Sequence, residues 1–306
     1  MSETAHIFTV DLEEYFQAHA LGNVIGRSEW DYLPPRAEKS TGNLLDFLDE
    51  CGIQATFFVL GWVADRNRAL VREIADEGHE IASHGWSHHR VDRLSPEEFR
   101  SEVRRSKSLL EELTGRKVRG FRAPSFSFVP GTEWAMEILA EEGYQYDSSI
   151  YPVRRPGYGY PGASTEPFRV DTPAGAILEL PPATLDVAGF SVPAGGGAYF
   201  RHLPYALTSG ALRQMEERGV PGVFYVHSWE IDEHMPRLPV GFIPEWRHYG
   251  RIGRMMDRLH RLADEFEFTS VEQRYRLDLL DDLPDSEPSH DGTSLPRRQT
   301  IRERVG

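Results

Sequence analysis

Apolar and polar positions along this chain follow two periods that take turns. Five times an amphipathic helical pattern ends near a glycine and passes directly into a short apolar run. The glycines are Gly52, Gly78, Gly115, Gly143 and Gly219, and the runs that follow span 55–60, 79–82, 118–121, 144–146 and 223–226. Glycine just past a helix adopts positive φ without a Cβ clash, which closes the helix. The helix expected over 96–114 has a marked start: Ser95 as N-cap, Pro96 in the first turn and Glu98 completing a capping box. Residues 6–10 read as the first strand and 266–271 as the last. Helices alternating with short apolar strands predict an α/β fold of parallel strands joined by crossovers.

Between 151 and 205 the rhythm breaks into a Pro- and Gly-rich stretch with one strand expected at 176–180. It reads as an insertion decorating one end of the sheet. Its run Gly195, Gly196, Gly197 lacks the strand, helix start and Lys of a phosphate loop. From about residue 283 large apolar residues become scarce, and the tail is expected to stay disordered because it buries too little to offset its ordering entropy. One domain over 1–278 and a tail over 279–306 follow, since an α/β barrel uses roughly 250 residues as a single unit.

Charge narrows the partners. Lys+Arg number 34 against Asp+Glu 48, a net charge of −14, which argues against nucleic acid or anionic lipid and leaves a neutral sugar or peptide open. The single cysteine, Cys51, rules out an internal disulfide or thiolate zinc cluster and reads as a small residue at a helix end. The polar start lacks the pattern of a secretion signal, and no stretch approaches the ~18 apolar residues of a membrane span. A cytoplasmic location is the expectation.

The unusual polar residues fall where strands end. Asp11 follows the first strand, His84 and His88 the third, Arg122 the fourth, Asp147 the fifth, and His227 the 223–226 strand. In a parallel barrel such side chains converge on one rim. Two imidazoles four apart share a face of a helical turn, and with Asp11 or Glu13 they form a nitrogen–nitrogen–carboxylate set suited to Zn²⁺ with a position left for water. The alternative is a pair of surface histidines beside His89, with Asp11, Glu13 and Glu14 a plain acidic loop. Arg122 is either a structural ion pair or the group that orients a carboxylate. His227 is either a bonded core residue or a proton donor with an ordinary pKa of about 6.5. Trp86, Trp229, Trp246 and Tyr199 lie near these segments as core, as wall or as faces for sugar rings.

These segments resemble the NodB-homology polysaccharide deacetylases. The matching motifs, in the family's order, contain Asp11 and Glu13, His84 and His88, Arg122 and Pro124, Asp147, and His227. The longer phrases 11–16, 200–205 and 225–232 are similar to the subgroup found with exosortase and exopolysaccharide systems, and the resemblance covers about 6–275. It implies a distorted (β/α) barrel, one divalent metal (Zn²⁺, with Co²⁺ or Ni²⁺ as alternatives) and hydrolysis of N-acetyl groups on aminosugar polymers. Carried over by position, His84 and His88 bind the metal, Asp11 is the base, Arg122 holds Asp11, His227 is the general acid and Asp147 orients. Trp86, Pro124 and Trp229 are the expected substrate-binding residues. One departure stands out: many members have two adjacent Asp residues, base then ligand, whereas here Leu12 takes the second place and Glu13 follows. Some relatives space the pair by one residue, which makes Glu13 the metal ligand, with a role swap against Asp11 as the alternative. The rival readings are a hydrolase of small amides or imides on the same barrel and an inactive carbohydrate-binding protein.

Overall fold

The structure, a computed structural model, describes residues 5–277 except 19, 20, 23 and 156. Its strands are β1 (His6–Leu12), β2 (Thr56–Val59), β3 (Glu80–Ser83), β4 (Gly120–Phe121), β5 (Tyr146–Asp147), β6 (Phe168–Thr172), β7 (Gly175–Glu179), β8 (Thr184–Val187), β9 (Phe190–Pro193), β10 (Val223–His227) and β11 (Phe268–Thr269). In space β10, β1, β2, β3, β4, β5 and β7 follow one another, all parallel, with β6 antiparallel on the edge of β7. Beyond β7 the chain returns to β10, where Pro182 bridges Val223 and Gly196 bridges Tyr225. The sheet thereby curls into a distorted barrel. This closure explains the glycine run: a Cβ on Gly196 would lie 1.8 Å from the Tyr225 carbonyl oxygen, so only glycine fits.

Strand periodicity sorts the residues into two layers. Phe8, Val10 and Leu12 of β1, Phe57 and Val59 of β2, and Phe224 and Val226 of β10 share one core with Leu44, Phe47 and Leu48 of the helix Ala37–Glu50. Ile7, Phe58, Ala82, Tyr146 and Val223 form a second cluster, which fills the barrel. Two residues further along the same inner faces come Thr9, Asp11 and Glu13 after Ile7, and Tyr225 and His227 after Val223. One alternation therefore packs the barrel's lower part and carries the polar groups to its rim.

The expected glycines all have positive φ, from 64° at Gly52 to 92° at Gly78, and the helix Pro96–Thr114 starts on Ser95 with its capping box formed. Cys51 caps the end of Ala37–Glu50. Three expectations change. β1 runs on to Leu12, so Asp11 lies inside the strand and not after it. The last strand shrinks to Phe268–Thr269, because Ser270 accepts a hydrogen bond from the Gln273 N–H and starts a helix. The 151–205 stretch does more than decorate one end: β7 pairs with β5 inside the main sheet, where Ile177 and Leu180 are buried. The tail 279–306 lies outside the described residues. Among the described residues no helix is long and apolar enough to cross a membrane.

One carboxyl lies deep inside the barrel. Glu80 accepts hydrogen bonds from Thr56 Oγ1 (2.6 Å), the Tyr146 hydroxyl (2.7 Å) and the Glu272 N–H (2.8 Å). Burial outweighs them and pushes its pKa up from 4.5 to about 7. The folded protein thus holds a proton that the unfolded chain releases, so this contribution to stability is complete below pH 4.5 and is lost as pH rises through 7. Glu80→Gln is expected to flatten that decline, with a gain on the order of 3 kcal/mol at pH 8. Urea melts of both proteins between pH 5 and pH 8 check it, and parallel declines would clear Glu80 of the effect.

Candidate active site

Three donor groups meet on the rim. Ligand atoms of Glu13, His84 and His88 lie within 4.8 Å of one another, and all three residues are buried. Glu13 reaches this point because the single intervening residue, Leu12, turns into the outer core and leaves both carboxylates on the inner face. His84 and His88 arrive differently from the expected helical turn. The segment after β3 is an irregular loop with positive φ at Gly85 (76°) and His88 (53°). Glu102 pins it by accepting the N–H groups of Trp86 (3.0 Å) and Ser87 (2.8 Å), while Arg27 donates to the carbonyls of Ser87 and His88. A helix would leave those groups to its own ladder; the carboxylate and guanidinium replace it.

The donor set fits a divalent cation. His84 Nδ1 lies 2.8 Å from the Arg122 carbonyl oxygen, which only accepts, so Nδ1 carries the hydrogen and Nε2 keeps its lone pair. Burial lowers the His84 pKa to about 4, which keeps the ring neutral as a ligand must be. Glu13 Oε2 lies 2.8 Å from His88 Nε2 yet has no hydrogen-bond partner, an arrangement that a shared cation explains. Burial works to raise the Glu13 carboxyl, but His88, His227 and His84 together hold it low. The Trp229 indole N–H fixes its other oxygen, Glu13 Oε1, at 3.0 Å. Trp229→Phe is expected to weaken metal affinity about tenfold, measured by competition with a chelating dye, and unchanged affinity would remove that bond from the account.

Asp11 sits beside this cluster under separate control. Arg122, fully buried, donates from Nη1 to Asp11 Oδ1 (2.7 Å) and Thr9 Oγ1 (2.8 Å), and from Nη2 to Ser148 Oγ (2.9 Å). Its guanidinium lies 4.1 Å from the Phe58 ring centroid and its Nε donates to the Ser148 carbonyl at 3.2 Å, so apolar packing and four acceptors fix its plane. Asp147, expected to take part in the site, does not line the cleft. Its oxygens accept from Ser149 N–H (3.0 Å) and Ser149 Oγ (2.6 Å), and it shares a buried environment with Glu179. Burial raises both carboxyls, Asp147 to about 6 and Glu179 well above its usual range. Asp147 therefore braces the β5 end from which Ser148 grips Arg122.

His227 faces both carboxylates, its Nε2 3.8 Å from Asp11 Oδ2 and 3.8 Å from Glu13 Oε1. Its Nδ1 is 3.0 Å from Glu230 Oε2, and Glu230 Oε1 accepts from Arg201 Nε at 2.7 Å. Burial opposes the charged ring, yet Glu230, Glu13 and Asp11 outweigh it and lift His227 to about 9. Burial likewise opposes the Glu230 charge, and Arg201 and His227 bring that carboxyl down to about 2. The sequence reading missed Glu230 and Arg201, although both fall within phrases it singled out, because pairing across 29 residues is a product of the fold.

A cleft open to solvent contains Asp11, Glu13, His84, His88, His227 and Trp229 in its lining. Trp86 and Pro124, expected to bind substrate, are outside it. The Trp86 ring packs against Gly61 and under Arg105, 3.4 Å from its centroid, while the neighbours of Pro124, Ala123 and Ser125, take its expected place. Glu14, third of the clustered carboxylates, accepts the N–H groups of Arg36 and Ala37 and so caps a helix.

Residues 29–146 match the family model described as Polysaccharide deacetylase. That stretch is similar to polysaccharide deacetylase domains. Residues 148–276 match a second model, described as Domain of unknown function (DUF3473). The deacetylase match holds His84, His88 and Arg122, the second match holds His227 and Glu230, and Asp11 and Glu13 precede both. A peptidoglycan deacetylase-like protein of Gibberella zeae is 33% identical over 111 residues, 36% of this chain and 32% of its own. A peptidoglycan-N-acetylglucosamine deacetylase of Bacillus cereus is 32% identical over 98 residues, 32% of this chain and 36% of its own. The chain thus spans about a third of the length of these relatives. Among solved structures, a candidate polysaccharide deacetylase from Mycobacterium smegmatis superposes with a TM-score of 0.60 at 22% identity, covering 95% of this chain and 94% of that one. An allantoinase gives 0.57 at 16% identity over 90% of each. Both likenesses concern the distorted barrel.

Proposed function

We propose that this chain is a metal-dependent hydrolase that removes N-acetyl groups from an N-acetylated aminosugar polymer or oligosaccharide. The observation that carries the reading is that Asp11 and His227 flank the Glu13, His84, His88 cluster in one cleft, with His227 Nε2 3.8 Å from both carboxylates. The deacetylase match and the names of the relatives support the reaction class. A divalent cation held by Glu13, His84 and His88, Zn²⁺ on this donor set, supplies a Lewis acid that acidifies water and stabilises an oxyanion. Asp11, oriented by Arg122, accepts the proton of the water whose oxygen bonds to the acetyl carbon. His227, charged through Glu230, gives its proton to the sugar nitrogen as the carbon–nitrogen bond breaks, so that the amine leaves neutral. Acetate and a free amino sugar result. Within the family, the phrases at 11–16, 200–205 and 225–232 favour the exopolysaccharide-associated members.

The test is acetate release from an N-acetylglucosamine tetramer beside a panel of small amides and imides. Acetate release that stops on chelation and returns with Zn²⁺ supports the reading. Hydrolysis confined to the small amides would transfer the chain to the rival reaction, and binding of the tetramer without turnover would make it a carbohydrate-binding protein.

A further inference from the structure

The metal chemistry leaves part of the cleft unexplained. Tyr158, Tyr199, Arg247 and His248 line it as well, all from the half of the chain matched as a domain of unknown function. His248 is 1% exposed, and neither of its ring nitrogens has a hydrogen-bond partner. It lies against Trp229, with ring centroids 4.3 Å apart. A buried imidazole with both nitrogens unbonded is costly unless a ligand satisfies it.

Arg247, next in sequence, is cationic and uncommitted. Among the described residues no carboxylate lies within 4.0 Å of its guanidinium. The contrast with Arg201 is informative, since Arg201 spends its donors on Glu230 and on the carbonyls of Arg247, His248 and Gly250. Tyr158 and Tyr199 hydrogen-bond to each other through their hydroxyls, and both Arg155 and Arg247 act electrostatically on Tyr158. Arg155 adds a second cation 5.4 Å from the Tyr199 ring centroid. In a chain of net charge −14, Arg247 and His248 offer N–H donors that no carboxylate among the described residues accepts, although Glu13 and Glu230 act electrostatically on His248.

We propose that Arg247 and His248, with Tyr158 and Tyr199, form a binding site for a negatively charged substituent, a carboxylate or a phosphate, on the saccharide substrate. The proposal rests on the saccharide reading above and adds the charge of the substrate to it. The planar guanidinium offers two parallel N–H groups to either anion, and the His248 ring offers a donor and an acceptor beside it.

Calorimetry on the full, metal-loaded chain tests it, with acetate release followed separately. The probes are an N-acetylglucosamine–glucuronate tetrasaccharide, its carboxyl-reduced counterpart, an N-acetylglucosamine tetramer and the same tetramer carrying a 6-phosphate. An acidic probe is expected to bind about tenfold tighter than its neutral counterpart. The preference should shrink between roughly 50 and 500 mM salt and fall below about twofold in Arg247→Gln, with part restored in Arg247→Lys. Whichever acidic probe binds tighter identifies the anion. His248→Phe, which removes both ring nitrogens, is expected to weaken the same probe. Equal binding of acidic and neutral probes, a preference that survives Arg247→Gln, or failure of every probe to bind overturns the site. Acidic preference without acetate release leaves this site standing and removes the deacetylase reading, and acetate release from the neutral tetramer without preference does the opposite.

Discussion

Asp11→Asn is expected to lower the rate of acetate release by about a thousandfold while metal content stays at the wild-type level. The amide keeps the shape of the carboxylate and its contact with Arg122, but it has no basic oxygen to accept a proton. Because Glu13, His84 and His88 supply the clustered donor atoms and Asp11 does not belong to that set, losing the Asp11 charge leaves the set complete. The change also leaves a buried guanidinium facing a neutral group, although Thr9 and Ser148 continue to accept from it. A loss of stability on the order of 3–5 kcal/mol is expected alongside, as for any buried ion pair that loses one partner. Steady-state rates, metal analysis and a thermal melt on one preparation separate these effects. Wild-type activity would remove Asp11 as the base, and loss of the metal would exchange its role with that of Glu13.

The second large effect concerns the proton donor. His227 stands near 9 because Glu230, aided by Glu13 and Asp11, overcomes the penalty of burial. Replacing Glu230 by Gln takes away the nearest of these charges, so the ring loses its proton at lower pH. On the proposed mechanism the protonated ring is the active form, so the alkaline limb of the pH–rate profile is expected to move toward lower pH. At pH 8 a loss of about tenfold or more in kcat/KM is expected, with a smaller loss at pH 6. Glu230→Gln also leaves Arg201 buried without its charge partner, a loss on the order of 3–5 kcal/mol in folding stability. Because stability itself falls with rising pH, the folded fraction is measured by circular dichroism at each pH and the rates are corrected for it, after which a change in His227 shows as a shifted limb. An unmoved limb would remove Glu230 from the proton chemistry.

Much of the site is legible in the sequence because it depends on local rules. Period-two alternation carries Asp11 and Glu13 to one face, and a parallel sheet brings its strand ends to one rim, so Asp11, His84, Arg122 and His227 are assembled by topology alone. What escapes depends on contacts made only after folding. The 83–88 segment has the spacing of a helical turn, but Glu102 and Arg27 hold it as a loop, and Arg27 is 60 residues from Ser87. Asp147 looks like a site residue because it ends a strand, yet Glu179, on a strand within the expected insertion, gives its side a different purpose. Trp86 neighbours both histidines in sequence, and Arg105 draws its ring away from the cleft. The pairs that tune the site, Arg201 with Glu230 and Trp229 with Glu13, join residues whose sequence positions carry no sign of each other.

On the proposed reading Glu13, His84 and His88 hold one divalent metal beside an acid and a base. The most direct test is metal stoichiometry on the purified chain after exposure to Zn²⁺, beside a His84→Ala, His88→Ala double variant whose folding is checked by circular dichroism. One metal per chain is expected in the wild type and none in the folded double variant. A wild-type chain that takes up no metal, or a double variant that keeps a full complement, would contradict it.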